Sequence, residues 1–124
     1  MKALIIEDEI DICYLLSKLL TKKKIQANYV TSIADAKEAL KKYKPEIVFL
    51  DNRLPDGKGV DFAWYIKQIN PGIKVAMITA YDTGADRSLA MAKGIDYFVG
   101  KPFSTDKIYD TVDEMTGRII TKQD

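Results

Sequence analysis

Histidine is absent from the 124-residue chain, and its absence excludes several kinds of chemistry. Without an imidazole, the chain cannot supply a histidine general base, a histidine zinc ligand or a phosphohistidine of its own. Any proton, metal or phosphate chemistry therefore depends on carboxylates, lysines and hydroxyl groups. The single cysteine, Cys13, excludes an internal disulfide, and its place in an apolar helical pattern predicts that it packs in the core.

The chain also lacks an excess of charge and a long apolar run. Its formal net charge is +1, which gives no basic footprint for nucleic acid. No apolar stretch approaches the roughly 20 residues that a membrane-spanning helix needs, and the N-terminus lacks the charged-then-apolar layout of a signal peptide. We therefore expect a cytoplasmic protein that binds neither nucleic acid nor a membrane directly.

What the chain does have is a regular alternation of apolar runs and helical repeats. Continuous apolar runs predict strands that are buried on both faces, as in a parallel sheet covered by helices. One run alternates in polarity and is expected at an edge of the sheet. The predicted strands are residues 3–6, 26–31 (the edge strand), 47–50, 75–78 and 97–99.

An amphipathic helical repeat follows each predicted strand, with Ser32 and Ser104 placed to cap the second and fifth helices. The order βαβαβαβαβα predicts a doubly wound α/β domain with a five-stranded parallel sheet. No linker or internal repeat interrupts this order, and about five residues follow the last predicted helix. Residues 1–124 are therefore expected to form one domain, with no second domain in the chain.

Polar residues follow four of the five predicted strands. Glu7 and Asp8 come after the first strand, Asp51 after the third, Thr79 after the fourth and Lys101 after the fifth. The carboxyl ends of parallel strands form the edge at which open α/β sheets bind ligands. The sequence therefore predicts that these side chains converge on one pocket.

Each of these residues also has an ordinary structural explanation. Asp51 could begin the turn that continues into Pro55-Asp56-Gly57, and the acidic residues after the first strand could cap a helix. Thr79 could be a β-branched strand residue, and Lys101 a surface lysine. Four chemically matched strand endings at one edge are harder to explain in this way, and they favour a site.

The charges at this edge favour a divalent cation. Glu7, Asp8, Asp51 and Lys101 together carry a formal charge of −2. Two like charges 4 Å apart cost about 4 kcal/mol at an effective dielectric constant near 20. Oxygen ligands without histidine or cysteine select a hard ion, and a site with few carboxylates suits Mg²⁺. A carboxylate beside Mg²⁺, a lysine and a hydroxyl can accept a phosphoryl group.

Four stretches, "IIEDE", "FLDNRLPDG", "ITA" and "FVGKPF", resemble the signature stretches of response-regulator receiver domains of two-component systems. The resemblance covers essentially the whole chain. It implies the CheY-like, flavodoxin-like (βα)5 fold with strand order 2-1-3-4-5. It also implies that the chain is a receiver without an output domain.

The resemblance implies a role for each matching residue. Asp51 would be the phosphoacceptor. Asp8, Asp51 and the backbone carbonyl of Arg53 would bind Mg²⁺, with Glu7 helping directly or through a water. Lys101 would pair with Asp51 before phosphorylation and with the phosphoryl oxygens afterwards.

Further matches imply a conformational switch. Thr79 would turn its hydroxyl onto the phosphoryl group, and Phe98 would follow it inward as the aromatic switch residue. Phe98 lacks the hydroxyl of the tyrosine that is commoner at this position, so its movement must depend on packing. The Lys101-Pro102 bond would be cis, although the sequence alone does not establish the isomer.

The resemblance also implies that Arg53, Ala80 and Tyr81 would form the rim of the site. In the family, the side chains at the positions of Arg53 and Tyr81 border the path of the water that hydrolyses the phosphoryl group. Both residues are large here. We therefore hypothesise that they shield the phosphoaspartate and slow its hydrolysis.

The implied partners are a sensor histidine kinase or a histidine phosphotransfer protein, which would bring the phosphohistidine that this chain lacks. The protein would catalyse only its own phosphorylation and dephosphorylation. The signal would pass to a downstream protein through the face formed by the fourth helix, the fifth strand and the fifth helix. A weak homodimer, and a place as one part of a larger regulator, both remain open.

Three alternatives compete with this interpretation. A receiver-like interaction module that is never phosphorylated usually lacks an acidic residue, the acceptor or the lysine, and none is missing here. A haloacid-dehalogenase-type phosphatase needs a second aspartate two residues after the nucleophile, where this chain has Arg53. A flavodoxin-like cofactor binder needs a hydroxyl- and glycine-rich loop after the first strand, where this chain has the acidic stretch "EDEIDI".

Overall fold

A computed structural model of the chain describes residues 1–80 and 84–117. Five parallel strands form the main sheet: β1 (Lys2–Ile6), β2 (Gln26–Val30), β3 (Ile47–Asp51), β4 (Lys74–Thr79) and β5 (Tyr97–Gly100). Five helices alternate with them: α1 (Ile10–Lys22), α2 (Ile33–Tyr43), α3 (Gly59–Ile69), α4 (Gly84–Ala92) and α5 (Thr105–Thr116). The predicted alternation of strands and helices is confirmed.

The strands lie in the order β2-β1-β3-β4-β5, which is the predicted order 2-1-3-4-5. The strand predicted at an edge, β2, occupies an edge. Such an order places the reversal of the chain's winding between β1 and β3. It therefore places the ends of these two strands side by side, at the switch point where doubly wound sheets bind ligands.

The core has two layers because successive strand residues point to opposite faces of the sheet. Ile5 and Phe49 pack with apolar side chains of α1 and α5 on one face, and Cys13 lies buried in this layer as predicted. Ile6 and Leu50 pack with α2, α3 and α4 on the other face. Burial on both faces explains why the strands are continuous apolar runs.

Two predicted helix caps are present. The hydroxyl oxygen of Ser32 accepts a hydrogen bond from the Asp35 amide at 3.1 Å, at the start of α2. The Ser104 hydroxyl accepts one from the Lys107 amide at 3.0 Å, at the start of α5. Gly117 ends α5 in the left-handed conformation, with φ of 70°, which glycine adopts without strain.

The segment after β3 contains more structure than the predicted turn. Arg53–Leu54 and Gly57–Lys58 form a two-stranded antiparallel ribbon, in which Arg53 pairs with Lys58 and Leu54 with Gly57. We refer to residues 53–58 as the ribbon. It connects the end of β3 to the start of α3, so it lies beside the edge where the site is expected.

None of the helices within residues 1–80 and 84–117 combines the length and the hydropathy that a membrane span requires.

Candidate functional site

The sheet register places the predicted site residues at one level. Ile6 pairs with Leu50, so the residues that follow them, Glu7 and Asp51, lie side by side. At the other side of β3, Asp51 pairs with Ile78, and the amide of Lys101 donates a hydrogen bond to the Thr79 carbonyl at 2.9 Å. Three strand contacts therefore bring residues from four parts of the sequence to the same edge.

Three carboxylates meet at this edge. Glu7, Asp8 and Asp51 each offer one oxygen, and these oxygens all lie within 4.8 Å of one another. Glu7 is fully buried, Asp51 is 6% exposed and Asp8 is open to solvent. The cluster therefore has a buried base and an accessible side from which a small ion or a phosphoryl group could approach.

A small cleft of about 280 Å³ opens above the cluster. Its walls are Asp8, Glu9, Asp51, Arg53, Thr79, Ala80 and Lys101. The structure thus brings the predicted rim residues Arg53 and Ala80 to the same opening as the acidic residues. Tyr81, the third predicted rim residue, lies outside the residues that the structure describes.

Lys101 reaches into the carboxylates from β5. Its Nζ lies 2.9 Å from Glu7 Oε1 and 3.5 Å from Asp51 Oδ1, with Glu9 Oε1 at 3.7 Å. The expected pairing with Asp51 is thus accompanied by a shorter contact with Glu7. The Lys101-Pro102 peptide bond is cis.

The electrostatics of the cluster follow from burial and crowding. Burial raises the pKa of Glu7 to about 7, against the opposing effects of the Lys101 ammonium and the Glu9 amide. Burial likewise raises the pKa of Asp51, although Lys101 and the Arg53 amide oppose the shift. Burial disfavours the charged form of Lys101, but Glu7 and Asp51 outweigh it and raise the pKa of this lysine. Without a cation, the carboxyl groups of Glu7 and Asp51 therefore take up protons more readily than ordinary carboxyl groups do.

The donor set fits Mg²⁺. It consists of carboxylate oxygens from Glu7, Asp8 and Asp51, and hard divalent cations prefer oxygen donors. One lysine does not neutralise three carboxylates, so a divalent cation would relieve the repulsion among them. Asp8, which is exposed, could bind such an ion without displacing the buried contacts of Glu7.

Thr79 and Phe98 lie at the side of the site that faces α4. Thr79 is 7% exposed, and Phe98 pairs with Met77 on the neighbouring strand. Both line a cavity of about 250 Å³ beneath α4. The guanidinium of Arg87, on α4, lies 4.8 Å from the centre of the Phe98 ring. Arg87 was missed by the sequence analysis because only the packing of α4 brings it to the ring.

The segment after Asp51 is held by contacts that the sequence analysis also missed. The Asn52 side-chain oxygen accepts a hydrogen bond from the Val60 amide at 3.1 Å, and its backbone oxygen accepts one from Gly59 at 2.9 Å. A Cβ atom at Gly59 would overlap the carbonyl oxygen of Asp51. The glycine after the ribbon was the available signal, since close approach of two backbones often requires one.

The comparison with known families decides which protein family this geometry belongs to. The profile of the response regulator receiver domain matches residues 3–113 of the chain. The chain is a member of this family. The receiver domain thus carries its acidic cluster, threonine and lysine on the expected scaffold, and the predicted family is confirmed.

Among curated proteins, this receiver domain is 36% identical over 111 residues to the response regulator protein PilR of Pseudomonas aeruginosa. The match covers 90% of this chain and 25% of PilR, so the chain spans about a quarter of that relative's length. The shared part is the receiver domain, and PilR's remaining length is outside the comparison.

Solved structures show the same fold. A two-component response regulator from Clostridium difficile superposes with a TM-score of 0.90 at 23% identity, covering 98% of this chain and 99% of that one. The receiver domain of NtrX from Brucella abortus superposes with a TM-score of 0.86 at 24% identity, covering 94% and 99%. These likenesses confirm the predicted CheY-like architecture.

Proposed function

We propose that this receiver domain is a phosphorylation-dependent switch whose acceptor is Asp51. The observation that carries the proposal is the convergence of three carboxylates and Lys101 on one cleft, with Asp51 at its base. Burying charged groups costs free energy. The fully buried Glu7 beside a lysine therefore favours a chemical role for this cluster over a purely structural one.

The transfer step requires a donor that supplies both the phosphoryl group and the leaving group. A carboxylate oxygen of Asp51 would bond to the phosphorus of a partner's phosphohistidine as the P–N bond breaks. The imidazole would leave with the electrons of that bond and take up a proton. We propose a sensor histidine kinase or a histidine phosphotransfer protein as this partner, because the chain contains no histidine.

The surrounding residues would stabilise the phosphoryl group. Glu7, Asp8, Asp51 and the backbone carbonyl of Arg53 would hold Mg²⁺, which supplies positive charge against the phosphoryl oxygens. The Lys101 ammonium lies 3.5 Å from Asp51 and would form an ion pair with the new phosphoryl oxygens.

The switch would follow from the new charge. Thr79 would donate its hydroxyl to a phosphoryl oxygen, and Phe98 would move toward the cavity beneath α4 that both residues line. This shift would change the face formed by α4, β5 and α5, and α4 carries the exposed apolar side chains of Leu89 and Met91. We propose that a downstream protein binds this face, as a population shift between two states.

Phosphorylation by a small acyl phosphate with Mg²⁺ tests the acceptor. We expect wild type to gain the mass of one phosphoryl group and Asp51→Ala to gain none. Omission of Mg²⁺ from the wild-type reaction should prevent the gain. If wild type stays unmodified and also shows no amide shifts with beryllofluoride and Mg²⁺, the protein is a receiver-like interaction module that is not phosphorylated.

The lifetime of the phosphoaspartate tests the rim. Arg53 lines the cleft, and we propose that its side chain restricts the approach of water to the phosphoryl group. Phosphorylated Arg53→Ala should lose its phosphoryl group several-fold faster than wild type, measured by intact mass over time. An unchanged half-life would remove Arg53 from this role.

A further inference from the structure

Asp56 joins the ribbon to a helix that is distant in sequence. Its Oδ1 accepts a hydrogen bond from the Ile33 amide at 2.8 Å, and its Oδ2 accepts one from the Ala34 amide at 3.0 Å. These amides belong to the first turn of α2, where helix N–H groups have no partner within the helix. The two hydrogen bonds lower the pKa of Asp56, so the carboxylate stays charged.

The ribbon also approaches α2 closely at Gly57. A Cβ atom at Gly57 would lie 2.7 Å from Cδ1 of Ile33. The backbone of the ribbon therefore lies close to the end of the Ile33 side chain, at the start of α2. The two hydrogen bonds to Asp56 hold the far end of the ribbon against the helix at this close approach.

The ribbon connects the Asp56 hydrogen bonds to the cleft. Arg53 lines the cleft with the acidic residues, and it pairs with Lys58 across the ribbon. At the near end, Asn52 is fixed by its hydrogen bonds to the first residues of α3. The backbone of Arg53 thus lies between two fixed points, of which Asp56 is the one outside the site.

We propose that Asp56 is a positioning residue for the cation site. By tying the ribbon to α2, it holds the Arg53 carbonyl at the cleft before a cation arrives. Preorganisation of this kind lowers the ordering cost of binding, and residues that orient metal ligands commonly matter for affinity. The inference rests on the proposed function, because Mg²⁺ binding is part of that function.

Two substitutions separate positioning from simple stabilisation of α2. Asp56→Ala removes the contacts with Ile33 and Ala34, whereas Ser32→Ala removes the other cap of the same helix and leaves the ribbon untouched. Mg²⁺ titrations followed by backbone amide shifts should show affinity roughly tenfold weaker for Asp56→Ala. Ser32→Ala should bind Mg²⁺ as wild type does, although its unfolding midpoint falls.

A kinetic measurement adds a signature that lost stability alone would not give. With a small acyl phosphate as donor, Asp56→Ala should need more Mg²⁺ for half-maximal phosphorylation. Its rate deficit should disappear as Mg²⁺ approaches saturation. Asp56→Asn keeps one acceptor oxygen and should fall between wild type and Asp56→Ala, and it carries the test if circular dichroism shows that the alanine variant is unfolded.

The outcomes distinguish this inference from the proposed function. Equal Mg²⁺ affinity in wild type and the folded Asp56 variants overturns the positioning role, and so does an equal loss in Ser32→Ala. Phosphorylation of wild type at Asp51 would survive either result. A wild type that shows no Mg²⁺-dependent shifts overturns the inference and the proposed function together.

Discussion

At the scale of single residues, burial determines the protonation of Glu7. It is fully buried, its Oε1 lies 2.9 Å from Lys101 Nζ, and its Oε2 accepts a hydrogen bond from the Glu9 amide at 3.1 Å. Burial still dominates and raises its pKa from 4.5 to about 7. Glu7 therefore takes up a proton near neutral pH when no cation is present.

This pKa predicts a pH dependence of stability. The folded state binds the Glu7 proton more tightly than the unfolded state does. The stability that this proton contributes is therefore fully present below about pH 4.5 and is lost as pH rises through about 7. Metal-free wild type should therefore lose stability relative to Glu7→Gln between pH 5 and pH 8. Urea unfolding at several pH values measures the difference.

Magnesium provides the control for this prediction. Saturating Mg²⁺ should reduce the difference in free energy of unfolding between wild type and Glu7→Gln at pH 8, because the cation takes the place of the proton. If the difference in free energy of unfolding between the two metal-free proteins does not change with pH, Glu7 keeps an ordinary pKa.

Arg87 is a second residue whose contact with the switch can be tested. Its guanidinium lies over the ring of Phe98, and moving the ring inward would give up this cation–π contact. Such contacts contribute about 0.5–1 kcal/mol at exposed sites. Arg87→Ala should therefore bind beryllofluoride with Mg²⁺ about two- to fivefold more tightly than wild type.

The matched control for this contact is Arg87→Lys, which keeps a cation on α4 and should lie nearer to wild type. Amide-shift titrations give the three affinities. Tightening in the lysine variant equal to that in the alanine variant would show that the ring contact is not responsible.

At the scale of elements, the junction between β3 and α3 determines where the acceptor lies. The Asn52 side chain caps the first turn of α3, and Gly59 begins that helix against the carbonyl of Asp51. The strand that carries the acceptor and the helix that follows it are therefore fixed to each other by backbone contact. The lack of a side chain at Gly59 is what permits this approach.

Gly59→Ala should destabilise the protein by about 1–3 kcal/mol, because the added Cβ would displace backbone at the acceptor. Gly100→Ala is the matched control, since no atom lies within 4 Å of a Cβ added there. Its effect should be below about 0.5 kcal/mol. Urea unfolding measures both, and equal effects would contradict the steric explanation.

At the scale of the whole molecule, the site depends on a sheet that is covered on both faces. Phe49 and Leu50 are both fully buried, and they face opposite layers of the core just before Asp51. Neither layer is complete without the sheet between them. We therefore expect the two layers to unfold together.

Phe49→Ala should lower the free energy of unfolding by about 3–5 kcal/mol and Leu50→Ala by about 2–5 kcal/mol, because each leaves a cavity in one layer. Both variants should retain a single unfolding transition when circular dichroism and Trp64 fluorescence are compared. Trp64→Phe, at a side chain that is 53% exposed, should change stability little. Separate transitions by the two probes would show that the layers are independent.

The sequence alone determined the order of elements, the strand order through its family resemblance, and the identity of the acidic edge. It could do so because apolar runs report burial on both faces and because parallel strands bring their carboxyl ends to one edge. Only the tertiary structure decided that Lys101 is shared between Glu7 and Asp51, that Asp56 caps α2, and that Arg87 covers Phe98. These contacts join residues that are separated in the chain. Hydrogen bonds and ring contacts form only at particular distances. Strand register and helix packing set those distances, and a local sequence pattern does not contain that information.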